Sequence, residues 1–274
     1  MRIDAHQHFW RYDPVEYDWI DDSMGPLKRD FSPADLKREM SRCGVDRTIA
    51  VQARQTLEET RWLLDLASDH PFIAGVIGWV DLQSPAVDAE LEEISGHPRL
   101  LGVRHVVQSE GPGFLSSEAF RRGLGRLERY GLTYDVLVYA RQLPEVVDLV
   151  RAFPSQRFVL DHLGKPDVKG GGHQAWRPHF EELASFPHVW CKLSGLVTEA
   201  DWRTWTAEQL RPYIETALEC FGPERLMIGS DWPVCTLASP YTRTLAVVED
   251  ALGGCSSKER ASILGGTAQH LWNL

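Results

Sequence analysis

Eight short apolar segments rich in β-branched residues alternate along this chain with amphipathic segments of helical periodicity. Apolar residues that recur every three or four positions mark one buried face of a helix, whereas short apolar runs bounded by turn residues indicate buried strands. Eight strand–helix units within 274 residues are what a (β/α)8 TIM barrel requires, and barrels of this length commonly form one domain. The predicted strands span residues 2–9, 46–53, 72–82, 100–108, 132–140, 157–163, 189–195 and 225–231.

Three of the predicted helices begin with capping signals. Ser32 is a favourable N-cap, and Pro33 follows it at the first helical position. Thr56–Glu59 and Thr206–Gln209 have the spacing of a capping box. A doubly wound open sheet would also alternate strands with helices, but it usually has a glycine-rich first turn or fewer units. The sequence therefore predicts an α/β fold in which residues 1–274 form a single (β/α)8 barrel domain.

Several loops that follow the predicted strands are much longer than the loops that precede them. In a barrel the active site is built from the loops after the strands, and long loops in a compact domain are usually functional. The first long loop is rich in aromatic residues, Trp10 among them, which suit a sugar-like or planar ligand or pack as an apolar lid. The long loops span residues 10–31, 164–173, 196–206 and 232–240.

Charge and cysteine usage exclude several classes of partner and compartment. The formal net charge is −10 with no run of lysine or arginine, so nucleic acid and anionic membranes are not expected partners. Five scattered cysteines without a C-x-x-C pair indicate free thiols in a reducing compartment. The sequence has neither a secretory signal nor an apolar run of the roughly 20 residues that a membrane helix needs. We expect a cytoplasmic protein with a small-molecule substrate, and the oligomeric state stays open, a homo-oligomer included.

Polar residues at the ends of the first and last predicted strands carry the main chemical signal. His6 and His8 are two positions apart on one strand, so their side chains share a face near its C-terminal end. Asp231 ends the eighth strand, where its carboxylate can face the two histidines as a general base or as a metal ligand. The structural alternative for Asp231 is a turn aspartate before Pro233.

Two strands carry adjacent polar residues, of which alternation allows only one to face inward. On strand six we prefer His162 to Asp161, because an inward aspartate would add a second carboxylate to an already acidic chain. On strand four we prefer Arg104, because the rigid donor fork of arginine suits a carbonyl or carboxylate. Lys192 either contacts the substrate or forms a structural ion pair. The predicted substrate-binding residues are His105, Lys192, Trp10 and Trp232.

Stretches from residue 2 to residue 235 resemble the amidohydrolase superfamily, in its amidohydrolase 2 type and in the sugar-lactonase branch of L-fuconolactonases and L-rhamnonolactonases. The resemblance implies a (β/α)8 barrel that hydrolyses a sugar lactone to the free aldonic acid. The segment GGTAQHLW near the C-terminus resembles the closing segment of that family. The stretches are RIDAHQHFWRY, AVQARQTLEETRWLL, GVIGWVDL, LLGVRHVVQ, LDHLGKP, CKLSGLVTEADW and LMIGSDWPVC.

The resemblance also implies roles for individual residues. Asp231 matches the aspartate that activates water, His6 and His8 match the strand-one pair, His162 the strand-six histidine and Arg104 the strand-four arginine. The two-metal members use a bridging group from strand four or five and a strand-five histidine. Here strand four offers an arginine and strand five ends in Val-Tyr-Ala, so the sequence argues against a binuclear centre. A single divalent ion such as zinc, held by the strand-one histidines and the strand-eight aspartate, is allowed, and the resemblance implies that no metal is strictly required.

The predicted reaction is therefore lactone hydrolysis, with Asp231 as general base and with Arg104 and the histidines stabilising the oxyanion. Two alternatives stay open: a metal-dependent decarboxylase or amide hydrolase of the same superfamily, and a sugar-acid binding protein without activity. A barrel alone cannot separate them, because this fold hosts many chemistries. The sequence contains no readable code for which sugar lactone or which ring size is preferred.

Overall fold

A computed structural model describes all 274 residues. The eight strands are β1 (Ile3–Gln7), β2 (Arg47–Val51), β3 (Ile73–Gly78), β4 (Leu100–His105), β5 (Thr133–Val136), β6 (Phe158–Leu160), β7 (Val189–Leu193) and β8 (Leu226–Ile228). The helices are α1 (Pro33–Cys43), α2 (Leu57–Asp69), α3 (Val87–Ser95), α4 (Glu118–Leu124), α5 (Leu143–Ala152), α6 (His173–Ala184), α7 (Leu196–Glu199), α8 (Ala207–Phe221), α9 (Tyr241–Ala251), α10 (Ser257–Ala261) and α11 (Thr267–Trp272).

The strands form one parallel sheet in the order β1 to β8, and its two edges meet. Gln7 and Trp232 form a parallel bridge. The backbone N–H of His8 donates to the carbonyl of Trp232 at 2.7 Å, and the N–H of Asp231 donates to the carbonyl of His6 at 2.8 Å. An open doubly wound sheet would leave these edges apart. The structure therefore confirms the predicted (β/α)8 barrel.

All eight strands are shorter than the sequence predicts, and at β6 and β8 the backbone leaves the extended conformation just before predicted site residues. Strands β6 and β8 have three residues each. Just beyond them, His162 and Asp231 have positive φ angles of 53° and 57°, which interrupt the alternation of a strand. Asp161, His162 and Asp231 thus lie immediately past the strand ends, on short turns rather than on the strands themselves.

The two ends of the barrel interior differ in character. At the N-terminal end the interior is apolar, and α11 closes it with Leu271 and Trp272, which pack with Ile3, Ile49 and other strand residues. The indole N–H of Trp272 also donates to the hydroxyl of Thr133 at 3.2 Å. The polar side chains predicted for the site all lie toward the other end, the C-terminal ends of the strands. No helix has the length and apolarity that a bilayer-spanning helix needs.

The predicted caps form with one difference. Ser32 and Asp35 make a complete capping box at α1. At α2, the hydroxyl of Thr56 accepts the N–H of Glu59 at 3.1 Å, but the carboxylate of Glu59 does not accept the backbone N–H of Thr56. It accepts the backbone N–H groups of Ala53 and Arg54 instead, so the predicted box is only half made.

Candidate active site

A cavity of about 620 Å³ opens at the C-terminal end of the barrel. Four of the predicted catalytic residues line it together, and they come from the first, fourth, sixth and eighth strands and the turns that follow them. Its walls come from the first long loop, the loop after β2, the loop after β4 and the turn after β6. The lining residues are His8, Glu16, Asp18, Trp19, Ala53, Arg54, Gln55, Thr56, Arg104, Val106, Gln108, Ser109, Leu137, His162, Lys165, Asp231 and Val234.

Asp231 stands where three histidine rings converge. Its Oδ1 lies 3.3 Å from Nε2 of His8, 3.8 Å from Nε2 of His6 and 3.9 Å from Nε2 of His162. Burial favours the neutral acid, but His162, His8 and His6 together outweigh that effect and hold the pKa of Asp231 well below its usual value. Asp231 is therefore a carboxylate at neutral pH, next to the cavity and 4% exposed.

Burial has the opposite consequence for two of the histidines. It lowers the pKa of His162 to about 4, even though Asp231 and Asp161 favour the charged ring. It also holds the pKa of His6 well below its usual value, against the attraction of Asp161. Both rings are therefore neutral at pH 7, and each has one nitrogen that can accept a proton or a hydrogen bond.

Contacts of the two ring nitrogens indicate which nitrogen of His6 and which of His8 is the acceptor beside Asp231. Nδ1 of His8 lies 2.8 Å from the carbonyl of Val51, to which only an N–H can bond, so Nε2 is the acceptor of the neutral ring. For His6, Nδ1 lies 3.2 Å from Oδ1 of Asp161, to which an N–H can donate, and Nε2 lies 3.3 Å from Nη1 of Arg104, which can only donate, so Nε2 is the acceptor. Two imidazole lone pairs and the carboxylate of Asp231 thus converge on one point, where an electropositive group is needed.

This donor set fits a single divalent ion. Nε2 of His6 and Nε2 of His8 are 3.2 Å apart, and the carboxylate oxygen of Asp231 is 3.3 Å and 3.8 Å from them. Ligand atoms about 2.0–2.1 Å from a tetrahedral zinc ion lie roughly 3.3 Å from one another. Arg104 approaches the same lone pair of His6, so the guanidinium and an ion would compete for Nε2 of His6.

A layer of four alternating charges lies beneath the cavity. Nζ of Lys192 forms an ion pair with Asp135 and lies 3.0 Å from Oδ1 of Asp161. Nη1 of Arg104 donates to Oδ2 of Asp161 at 3.0 Å. Burial opposes the charge of Lys192, but Asp135 and Asp161 outweigh it and raise its pKa. The two cations and the two carboxylates of the layer cancel, so the negative charge of Asp231, above the layer, is not compensated by it.

Asp161 and His162 both face inward, which corrects the prediction that only one of them could. Asp161 reaches the charge layer, with its Oδ1 3.2 Å from Nδ1 of His6. His162 reaches the cavity, and its Nδ1 lies 2.8 Å from the hydroxyl of Ser194. The alternation rule failed here because β6 ends at Leu160 and the left-handed backbone of His162 turns its side chain to the same side.

His105 and Lys192, predicted to bind substrate, do not line the cavity. On β4, Arg104 faces the interior as predicted, and His105 therefore faces outward. The ring of His105 stacks on Phe114 at 4.6 Å, and its Nε2 lies 2.9 Å from Glu110. Lys192 is fully buried in the charge layer, so the ion-pair alternative describes its position.

The two predicted tryptophans pack beside the cavity rather than in it. Trp10 is fully buried, and its indole N–H donates to the carbonyl of Arg29 at 2.9 Å. Trp232 is 3% exposed, packs edge-on against Phe31, and borders a separate groove of about 650 Å³ on the other side of that pair. Trp19 is the tryptophan that lines the cavity, and it is 38% exposed.

None of the other polar residues of the cavity walls was among the predicted catalytic, substrate-binding or metal-binding residues. Arg54 and Gln55 follow β2, Gln108 and Ser109 follow β4, and Lys165 follows the turn after β6. Their common signal is that each directly follows a strand or its turn on the face that the loop lengths marked. Nothing in the residue types alone separates them from ordinary loop residues.

Gly195 lets the ring of His162 occupy its position. A Cβ at residue 195 would lie 2.6 Å from Cγ and from Nδ1 of His162, closer than side-chain carbons approach one another. Gly195 also has a φ of +71°, which favours glycine. The missing side chain after β7 is therefore part of what positions the histidine against Asp231.

Comparison with known proteins adds independent findings. The profile of a family described as Amidohydrolase matches residues 3–274. An L-fucono-1,5-lactonase from Burkholderia multivorans is 44% identical over 286 residues, covering 100% of this chain and 96% of the relative. An L-fucono-1,5-lactonase from Burkholderia ambifaria is 37% identical over 279 residues, with 100% and 96% covered. A crystal structure of an amidohydrolase from Burkholderia multivorans with bound zinc has a TM-score of 0.97 and 42% identity, covering 100% of this chain and 99% of the other.

Proposed function

The chain belongs to the amidohydrolase family, and from this premise we propose that it hydrolyses a neutral sugar lactone, such as L-fucono-1,5-lactone, to the free aldonic acid. The observation that carries the proposal is an ionised Asp231 between three histidines and Arg104, at the base of a cavity whose walls are polar and whose cations are paired with carboxylates. The relatives that match the whole chain are named as lactonases, which supports the same reaction.

The first step is the attack of water. Asp231 takes a proton from a water molecule, and the resulting hydroxide oxygen forms a bond to the lactone carbonyl carbon. The low pKa of Asp231 keeps the base ionised, and a lactone carbonyl is electrophilic enough to accept attack without the help that an amide needs. Attack produces a tetrahedral oxyanion.

Arg104 is the cationic group placed to stabilise that oxyanion. Its guanidinium lines the cavity, is 4% exposed, and is held by Asp161 and by the carbonyl of Gln52. A preorganised cation in a water-poor site stabilises developing negative charge more than solvent does. The ring C–O bond then breaks, and protonated Asp231 returns the proton to the ring oxygen. This step releases the open aldonic acid and regenerates the carboxylate of Asp231.

His6, His8 and Asp231 are the residues that would hold a single divalent ion such as zinc. A bound ion would polarise the carbonyl or lower the pKa of a water molecule. The roles of Arg104 as a fixed cation and of Asp231 as the ionised group facing the substrate follow from their own contacts.

The charges of the cavity favour an uncharged substrate. Each of its three cations already has a carboxylate partner: Arg54 has Glu16, Arg104 has Asp161, and Lys165 has Glu199 at 3.2 Å. Asp18 lines the cavity and forms no ion pair. Arg104 serves the oxyanion of the reacting carbonyl, and the other two cations are paired, so a further carboxylate on the substrate would find no free cation. The amides and hydroxyls of the walls suit the hydroxyl groups of a sugar.

A matched pair of substrates tests this proposal. We expect a neutral L-aldonolactone to be hydrolysed with kcat/KM about 100-fold higher than the aldarolactone that carries a carboxylate at its terminal carbon, because an unpaired charge in the cavity costs about 3 kcal/mol. A pH-indicator assay across five- and six-membered aldonolactones, with and without a chelator, measures both the rates and the need for a metal.

The same assay separates the alternatives. No hydrolysis of any lactone, together with loss of carboxylate from an aromatic acid or cleavage of an amide in the presence of a divalent ion, would contradict the proposal in favour of a metal-dependent decarboxylase or amide hydrolase. Binding of an aldonate without turnover of its lactone would instead indicate a binding protein without activity.

Gly195→Ala tests the placement of His162. We expect kcat to fall roughly 10- to 100-fold, because the added methyl group displaces the ring from Asp231 and misplaced catalytic groups lose about that much. Gly44→Ala is the matched control, since Gly44 has a φ of +63° and open space around its Cβ position. Steady-state kinetics should show an unchanged kcat for the control; equal losses in both variants would contradict the placement argument.

A further inference from the structure

Two segments of the cavity wall belong to no regular strand or α-helix. The wall segment Glu16–Trp19 lies in the first long loop and presents Glu16, Asp18 and Trp19 to the cavity. The wall segment Ala53–Thr56 connects β2 to α2 and presents all four of its residues. Since neither has a ladder of backbone hydrogen bonds, their positions depend on side-chain contacts.

A single buried carboxylate contacts both segments. Glu59, in the first turn of α2, is 3% exposed. Its Oε2 accepts the backbone N–H of Ala53 at 2.9 Å and the backbone N–H of Arg54 at 2.7 Å. Its Oε1 accepts the hydroxyl of Tyr17 at 3.2 Å. Both oxygens of the carboxylate are thus used, one for each segment.

The side chain of Arg54 provides a second link between the same segments. Its guanidinium forms an ion pair with Glu16 and lies 5.7 Å from the ring centre of Tyr17. This link is peripheral, because the side chain of Glu16 is 50% exposed, whereas Glu59 is buried behind it. The wall therefore has an exposed ion pair on the outside and a buried hydrogen-bonded carboxylate on the inside.

Helix α2 itself does not need this carboxylate. Thr56 already accepts the N–H of Glu59 as the helix cap, and Glu59 makes no return bond to the cap. Burial raises the pKa of Glu59 to about 7, which shows that the environment disfavours its charge. A buried carboxyl group that the helix does not use, and whose hydrogen bonds all reach the two wall segments, serves those segments.

We propose that Glu59 is a positioning residue that holds the wall segments Glu16–Trp19 and Ala53–Thr56 in register with each other and so determines how tightly the substrate binds. This inference rests on the proposed function, because it takes the cavity as the substrate site. His8 and Asp231 make no contact with Glu59. Arg104 donates to the carbonyl of Gln52, in the peptide group whose N–H on Ala53 is held by Glu59, but its ion pair with Asp161 does not depend on Glu59. The role of Glu59 therefore concerns binding more than chemistry.

Glu59→Ala removes the anchor. We expect KM to rise about tenfold with kcat within about twofold, because the loss of a buried hydrogen-bonding partner loosens the wall while the ion pair with Asp161 keeps Arg104 in place. Glu59→Gln can keep the hydrogen bonds to both wall segments, because the amide oxygen can accept the two backbone N–H groups and the amide N–H can donate to the hydroxyl of Tyr17. We expect the Gln variant to keep KM within about threefold of the wild type.

Asp65→Ala is the matched control, since Asp65 is an exposed acidic residue on the same helix with no side-chain partner. Its KM and kcat should equal those of the wild type. A Glu59→Ala variant with unchanged KM, or one in which kcat falls while KM stays constant, overturns the proposal.

Hydrogen exchange provides a readout that does not need a substrate. In Glu59→Ala we expect the amides of residues 53 and 54 and those of residues 16–19 to exchange at least tenfold faster than in the wild type. In Tyr17→Phe only residues 16–19 should exchange faster. Unchanged exchange of both segments in Glu59→Ala overturns the anchoring role. Faster exchange in a protein that hydrolyses no lactone supports the anchoring role and contradicts the proposed function, so the two failures are distinguishable.

Discussion

Asp231→Asn is expected to lower kcat on every lactone that the wild type hydrolyses by roughly 10³-fold, the contribution of a well-placed general base. The amide keeps the size and the acceptor oxygen that faces His8, but it cannot take a proton from water. The carboxylate is also the charge left over above the balanced layer of Asp135, Lys192, Asp161 and Arg104. Its loss therefore removes both the base and the local negative potential.

The measurement is a steady-state assay beside a thermal unfolding curve for each protein. Asp250→Asn serves as the control, because Asp250 is exposed on α9 and its side chain has no hydrogen bond or ion pair. We expect the control to match the wild type in kcat and in the midpoint of thermal unfolding. If the Asp231 variant were folded and kept most of the rate, the assignment of Asp231 as the base would fail.

Lys192→Met is expected to destabilise the protein by about 3–5 kcal/mol, the cost of leaving buried carboxylates without their cation. Lys192 is fully buried, and its ammonium group is the shared partner of Asp135 and Asp161. Since a domain of ordinary stability unfolds with about 5–15 kcal/mol, this loss is a large part of the total. Chemical denaturation should show a clearly lower midpoint.

Adding Asp135→Asn to Lys192→Met should restore at least half of the lost stability. The double variant leaves Arg104 and Asp161 as one balanced pair, with a neutral amide in place of the second carboxylate. Lys169→Met is the comparison on the surface, where the ion pair between Lys169 and Asp201 is solvated and contributes little. Similar losses of unfolding free energy in the Lys169 and Lys192 variants would show that the burial of the Lys192 ion pairs does not determine how much they stabilise the protein.

Strand order and side-chain alternation were enough to predict the barrel and part of the site. Eight alternating units predicted the closed sheet, and the i, i+2 spacing of His6 and His8 placed both on one face. The same rule allowed only one of Arg104 and His105 to face inward, the donor fork of arginine favoured Arg104, and the structure has Arg104 inside and His105 outside. These predictions succeeded because they depend only on the pleat of a regular strand.

The predictions failed where the backbone leaves the strand or where a partner is far away in sequence. His162 turns inward through a left-handed backbone that no residue type in the chain announces, so Asp161 could face inward as well. Asp135 lies inside a predicted strand, and its pairing with Lys192, 57 residues later, has no local signal. Trp10, predicted to bind substrate, is buried, whereas Trp19 of the same loop lines the cavity, and only tertiary packing separates these two aromatic residues.

The hydrogen bond between the backbone of Asp231 and that of His6 has a consequence for the making of the protein. The two residues are 225 positions apart, so the cluster cannot assemble on a ribosome until seven strand–helix units and β8 have been synthesised. Until then the two strand-one histidines have no carboxylate facing them from β8, and the apolar interior also waits for α11 to close it. A fragment released before residue 225 would carry four of the five clustered side chains and no base.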